Sequence, residues 1–379
     1  MLPIFQLMDS YLTKQQDLAA TSPMTEERNR MARQLAYTLA AHDMRIRHSC
    51  RALREKRDVS GYNALRGGRY FFGLTLQNAE ESLKELVLQL LDIIDFLGPG
   101  NVYLSIYENG SEDDSKDFLV NMDVLLTLFN VDHTIVTDIE GRPHDVDAVE
   151  YLAKKRNRAL EPLMDGDNGS FDRVVILDGL LFCSADVLEL LHEAKRQGAD
   201  MACGADFRLQ EGENEKSRRL AFGDTKTTID ITGSHFLPFP PNAFSQHEAT
   251  RDRLKRTLPV QVTCCWSGLV ALNPRPLVED GLTFHHRDNE GEEGACGAGE
   301  RMLLCQDLYR NGWNRVMLVP AAKAVSSHDH GWKETDKLRE YEEMQRVNRG
   351  FNPEPVEWAP VSVKFSGEWC FADKGREVF

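Results

Sequence analysis

The chain has 379 residues, eight of them cysteine, and a net charge of −15. That length suits two average domains or one large α/β enzyme domain with insertions. A balance this acidic argues against nucleic acid and anionic membrane as main partners, and 41% apolar with 28% charged residues is the make-up of an ordinary globular protein. The cysteines form no CxxC pair, so neither a zinc site nor a dense disulfide framework is expected. Cys264 and Cys265 are adjacent and not expected to bridge each other, whereas an isolated pair such as Cys296 with Cys305 stays open.

The N-terminal MLPIFQLMDSYLTKQQ has no basic stretch before an apolar run, and its apolar part is too short for a signal peptide or a membrane span. The expectation is a cytoplasmic protein with no membrane span, or a Golgi-lumen one if an N-terminal anchor has been removed. Asn109-Gly110-Ser111 and Asn168-Gly169-Ser170 are glycosylation sequons that matter only in the secretory pathway. Residues 1–66 are polar and helix-prone and read as a helical N-terminal extension.

Tyr70 to Leu76 is a strand candidate, after which Asn78 is placed to cap a helix from Ala79 to Phe96 with Leu83, Leu86, Val87, Leu90, Leu91 and Ile94 on its apolar face. Gly98-Pro99-Gly100 ends it. A strand at Val102 to Tyr107, a helix from Lys116 to Phe129 and a strand at Thr134 to Thr137 follow. This alternation predicts a parallel, doubly wound sheet. Its first β–α turn lacks the GxGxxG fingerprint and no Walker loop occurs, which argues against a dinucleotide dehydrogenase.

The helix Val149 to Leu163 carries Lys154, Lys155, Arg156 and Arg158. It reads either as a solvated basic face or as a place where Arg156 or Arg158, with Asn157, meets a phosphate. From Phe171 to Phe207 comes the stretch around which the rest is organised. A buried strand, Val174 to Leu177, ends at Asp178-Gly179; Ser184 and Asp186 open a helix that Gly198 stops. Ala199 to Cys203 is the next strand, with Asp206 just past its end. An acid thus stands at the C-terminal end of two strands, the edge where ligands bind in open α/β sheets. Trp266 lies in an apolar run, as a core residue or a sugar-stacking aromatic. A strand candidate at Val316 to Val319 precedes His328 and His330, and the segment from Lys333 is a charged helix followed by an aromatic, Pro-rich tail.

The stretches SIYENGSEDDSK, YLAKKRNRALEPL, VVILDGLLFCSADVLELL, ADMACGADF, VQVTCCWSGLVALNPRPL and GAGERMLLCQDLYRNGW together resemble the fungal capsule-associated α-1,3-mannosyltransferase family, glycosyltransferase family 69. The resemblance runs from Arg69 to His328. It implies a GT-A fold, an α/β domain with a mostly parallel central sheet flanked by helices, over residues 67–332, between the 1–66 extension and a 333–379 C-terminal helix and tail. It also implies a retaining, α-linking transfer of a sugar from a nucleotide-sugar donor, with GDP-mannose and mannose as the family expectation, to a carbohydrate or small-molecule acceptor. Glu300 and Asp224, which match family positions, are the catalytic candidates. Asn78, Arg156, Asn157, Asp178 and Asp206 are the donor-binding candidates, and Trp266 and Asp230 face the acceptor. Asp178 and His328 are the candidate ligands of Mn²⁺ or Mg²⁺.

The chain departs from the family pattern near these positions. Asp178-Gly179 stands where the family has Asn-Asp, so Gly179 occupies the usual metal-site Asp position. Lys226 and Ile229 replace a Trp and an Arg, Trp266-Ser267-Gly268 replaces Trp-Asn-Gly, and Gly299-Glu300-Arg301 replaces Ser-Glu-Cys. Three readings follow: an active mannosyltransferase, a cytoplasmic glycosyltransferase of a small hydrophobic metabolite, and a non-catalytic relative that lost its metal site.

Overall fold

A computed structural model of the chain describes residues 59–139, 141–179, 181–210, 219–238, 245–286, 299–325, 335–340 and 354–361, with scattered positions between 27 and 53. His328, His330 and most of the 1–66 extension lie outside the described residues. Where the extension is described, Leu35 and Leu39 are buried in the main core.

The chain begins with alternating strands and helices: β1 (Tyr70–Leu76), α1 (Glu80–Leu97), β2 (Val102–Glu108), α2 (Ser115–Leu128), β3 (Asp132–Thr137), α3 (Ala148–Met164) and β4 (Arg173–Leu177). It continues with β5 (Leu181–Phe182), α4 (Ser184–Arg196), β6 (Met201–Gln210), β7 (Arg219–Phe222), β8 (Ile229–Asp230) and α5 (Glu248–Lys255). Last come β9 (Val260–Cys264), β10 (Leu269–Leu272), α6 (Arg275–Val278), α7 (Glu300–Arg310) and β11 (Val316–Val325).

The strands hydrogen-bond in the order β3-β2-β1-β4-β10-β6-β11-β9-β8. The first four are parallel, β10 runs antiparallel to both β4 and β6, and β11 is again parallel to β6. This is the α/β architecture that the strand–helix alternation predicts. The residues of β1 explain the layering. All seven are buried, and their side chains alternate between the two faces of the sheet. Tyr70, Phe72, Leu74 and Leu76 join α1, α2 and α4 in one core, while Phe71 joins a second with Leu160 of α3 and Leu304 of α7. Burying a side chain of this size contributes about 1.5–3 kcal/mol. The order reverses at β1: β2 and β3 lie on one side and β4 on the other, and the C-terminal ends of β1 and β4 are the edge at which ligands bind in open α/β sheets.

Several local expectations are corrected. Asn78 does not cap α1. It has φ 47, and its Oδ1 accepts from Glu112 N at 3.0 Å, while Ser115 Oγ and Asp113 Oδ2 take the Ala79 and Glu80 amides. Its role is to brace the β2–α2 loop against the start of the helix. Asp206 lies within β6 rather than past its end, because β11 pairs it with Ala324 and β7 carries the pairing on to Gln210. Trp266 stands in the turn after β9, not on the strand.

The cysteine reading is also corrected. Cys50–Cys183, Cys203–Cys265 and Cys264–Cys305 are disulfides, so Cys305 pairs with Cys264 rather than Cys296. The two adjacent cysteines bind different elements, one on α7 and one on β6. Sequence spacing hid this, since the partners are 41 and 62 residues away.

The segment 354–361 lies on the domain, with Val356 N on Gln197 Oε1 at 2.9 Å and Ala359 N on Gln261 Oε1 at 2.8 Å.

Candidate functional site

Three elements converge where the strand order reverses. Thr75 stands near the end of β1, Asp178 follows the last residue of β4, and Arg156 reaches down from α3. Asp147 caps α3, accepting from the Val149 and Glu150 amides, and so fixes the helix that aims Arg156 inward. Two other cations of that helix face outward: Lys154 pairs with Glu150 at 2.6 Å and Arg158 with Glu161. Lys155 is partly buried, and burial, followed by the neighbouring Arg156 charge, lowers its pKa.

The Arg156 side chain is only 4% exposed. Its Nη2 donates to Asp178 Oδ2 at 2.8 Å and its Nη1 donates to Glu300 Oε1. The guanidinium carbon lies 5.5 Å from the Trp266 ring centre and 5.7 Å from that of Phe284, and the two rings meet edge to face. Aromatic faces on a planar cation add to the ion pairs. Asn157, next on the helix, holds Phe284 by its backbone, donating to the carbonyl at 2.7 Å and accepting from the amide at 2.9 Å. It positions the aromatic wall.

Both Asp178 oxygens are committed. Oδ2 accepts from Arg156 and from Trp266 Nε1 at 2.6 Å, and Oδ1 accepts from Thr75 Oγ1 at 3.3 Å. Burial acts to raise its pKa, but the charges of Arg156 and Arg301 with these hydrogen bonds hold it below the usual carboxylate value. Gly179, at φ 62, takes the left-handed turn conformation that glycine favours and brings no side chain. Among the described residues no group of three or more His, Cys, Asp or Glu is placed to hold a metal ion. At Asp178 the described residues offer a single carboxylate, already accepting from Arg156, Trp266 and Thr75, and on their own they do not make up a divalent-ion site.

A second set of acids flanks this centre. Asp224 Oδ2 accepts from the amides of Trp266 at 2.9 Å and Ser267 at 3.1 Å, and from Thr228 Oγ1 at 2.8 Å. It fixes the turn that carries Trp266, in which Ser267 sits at φ 54. Asp206 lies beside it. Its pKa is pushed up to about 7, first by burial and then by the Asp224 charge. Its Oδ1 is buried without a hydrogen bond, and Gly223 leaves it room, since a Cβ there would collide with Oδ2. Asp230 is fully buried and engaged in its own turn, accepting from Thr232, from Ser234 N and from Ser245 Oγ.

Trp266 is fully buried, so its ring is a wall of the site and not an exposed stacking platform. The structure thus brings Arg156, Asn157, Asp178, Asp206, Asp224, Trp266 and Glu300 together, and sets Asn78 and Asp230 in supporting turns. His328 is not described.

Sequence reasoning missed Arg301. It follows Glu300 at the start of α7, and its Nε donates to Glu300 Oε1 at 3.2 Å. A cation in the first turn of a helix opposes the dipole, and that mismatch was the available signal.

The family model described as Cryptococcal mannosyltransferase 1 matches residues 69–307. Alpha-1,3-mannosyltransferase CMT1 of Cryptococcus neoformans is 25% identical over 321 residues, which cover 78% of this chain and 67% of that protein. Among solved structures, S. aureus TarS residues 1–349 matches with a TM-score of 0.41 and 13% identity, over 72% of this chain and 65% of that one. The mannosyltransferase PcManGT of Pyrobaculum calidifontis, solved with GDP-Man and Mn²⁺, matches with a TM-score of 0.40 and 12% identity, over 86% of this chain and 76% of that one.

Proposed function

We propose that this chain, which belongs to the Cryptococcal mannosyltransferase 1 family, is a retaining glycosyltransferase that moves mannose from GDP-mannose to an acceptor hydroxyl in α linkage. The observation that carries the reading is the Asp178–Arg156–Glu300 bridge at the C-terminal crevice between β1 and β4. A nucleotide sugar is bound through charge at such an edge.

In this reading Arg156 orders the two carboxylates, and Thr75 and Trp266 lock the orientation of Asp178. Glu300 faces the sugar and acceptor, with one oxygen already held by Arg156 and Arg301. Asp224 rigidifies the Trp266 turn from below. Asp206 holds a proton near neutral pH and donates it in a hydrogen bond to the nucleotide sugar.

The three disulfides support an oxidising compartment such as the Golgi lumen over the cytoplasm, since thiols in the cytosol are kept reduced. This weighs against a cytoplasmic enzyme acting on a small hydrophobic metabolite.

The test is turnover by the pure oxidised protein. GDP-mannose and UDP-sugars are each offered with mannose oligosaccharides and with lipophilic alcohols, and products are read by mass spectrometry. Gain of one hexose on a mannoside from GDP-mannose is expected. Absence of transfer and of donor hydrolysis with every donor would overturn the reading and leave a binding protein.

A further inference from the structure

We propose that Arg301 is the cation that receives the departing diphosphate, in the place where a divalent metal would otherwise act. The inference rests on the glycosyltransferase reading and assigns a catalytic residue within it.

Any such transfer needs positive charge at the leaving group. The bond between the anomeric carbon and the β-phosphate oxygen breaks with its electron pair going to that oxygen. The acceptor oxygen bonds to the carbon, and its proton leaves with the released diphosphate. Asp178 does not hold a metal for this, because its oxygens accept from Arg156, Trp266 and Thr75. Arg156 itself is bound at both ends by carboxylates and buried among rings, so it has no free fork to offer.

Arg301 differs on each count. Its side chain is 32% exposed. One nitrogen, Nε, donates to Glu300 Oε1, and among the described residues its two terminal nitrogens have no hydrogen bond. A guanidinium with both terminal nitrogens open matches two oxygens of a phosphate. Burial works against its charge, but Glu300, Asp178 and Asp224 hold it firmly protonated, and it also lies in the field of Asp206. It stands, therefore, where three carboxylates act on a cation that solvent still reaches.

The departures from the family pattern agree. Asp178-Gly179 carries the same single acid as the Asn-Asp it replaces, while Arg301 adds a positive charge, the direction that a lost divalent ion would require.

The experiment is calorimetric titration of GDP and of GMP into wild type, Arg301→Gln and Arg301→Lys, each with Mn²⁺ and with a chelator. Wild type should prefer GDP over GMP and keep that preference in the chelator. Arg301→Gln should lose about tenfold or more of its GDP affinity, the scale of a charge-assisted hydrogen bond, while GMP binding stays unchanged. Arg301→Lys should recover part of the loss. The unchanged GMP affinity also shows that the variant is folded. Equal GDP affinity in Arg301→Gln, a parallel loss of GMP, or wild-type GDP binding that vanishes in the chelator each overturns the role of Arg301 and leaves the glycosyltransferase reading standing. Wild type that binds no nucleotide defeats that reading, and this inference with it.

Discussion

Replacing Arg156 by methionine keeps the length of the side chain and removes its charge. It leaves Glu300, 2% exposed, and Asp178, 14% exposed, without their shared cation. Breaking a buried ion pair by deleting one partner costs about 3–5 kcal/mol. The lower end applies here, about 3 kcal/mol, because Arg301 stays on Glu300 and Trp266 and Thr75 stay on Asp178. The loss should depend on pH. In wild type the folded pKa of Asp178 is depressed, so its contribution is present above the unfolded value and disappears as pH falls through the folded one. In the variant the largest depressing influence is gone and burial dominates, so Asp178 resists ionising. The stability gap between the two proteins should be widest near neutral pH and should narrow in acid. Urea denaturation at a series of pH values measures it. A gap below about 1 kcal/mol at neutral pH, or one that ignores pH, would refute the account of the bridge as a buried, mutually neutralising cluster.

Two further outcomes are expected. The folded pKa of Asp206 is raised to about 7, so the folded state binds its proton more tightly than the unfolded chain does, and stability falls as pH rises from the ordinary carboxylate range through about 7. Asp206→Asn should remove that fall in a comparison of urea midpoints, and an identical slope in the variant would contradict the burial of this acid. Cys305→Ser opens a link between residues 41 apart. The chain-entropy relation puts its loss at about 4 kcal/mol, read in non-reducing melts, and unchanged stability would show that the link contributes nothing to the fold.

The framework was legible because its signals are local. The strand Tyr70–Leu76 coincides with an unbroken apolar run, and the helices α1, α2 and α3 begin and end within two residues of the expected positions. Asp178 was visible as an acid at a strand end, and Arg156 as one cation among four on a helix. What spacing could not say is which of the four points inward. Lys154, Lys155, Arg156 and Arg158 cover more than one face of α3, and only the burial of Arg156 against Trp266 and Phe284 decides. The disulfides were illegible for the same reason: each joins segments brought together by the tertiary fold, 41 to 133 residues apart in sequence. Asp206 was placed outside its strand because the pairing that keeps it there, with Ala324 of β11, is made by residues more than a hundred positions away.

The three cross-links close rings from 50 to 183, from 203 to 265 and from 264 to 305. Asp178 falls in the first, Asp206 and Asp224 in the second, and Glu300 with Arg301 in the third. The second and third rings overlap at the adjacent cysteines, so no peptide bond between 203 and 305 lies outside a ring. A protease that nicks this protein in any of the three therefore separates nothing: the pieces travel as one particle on a non-reducing gel and part only when a reductant is added. Within the span from 50 to 305 the stretch between Cys183 and Cys203, which contains α4, is where a single cut would divide the chain in two. Ten of the thirteen residues of that helix are buried, so the segment least protected by covalent bonds is shielded by packing instead.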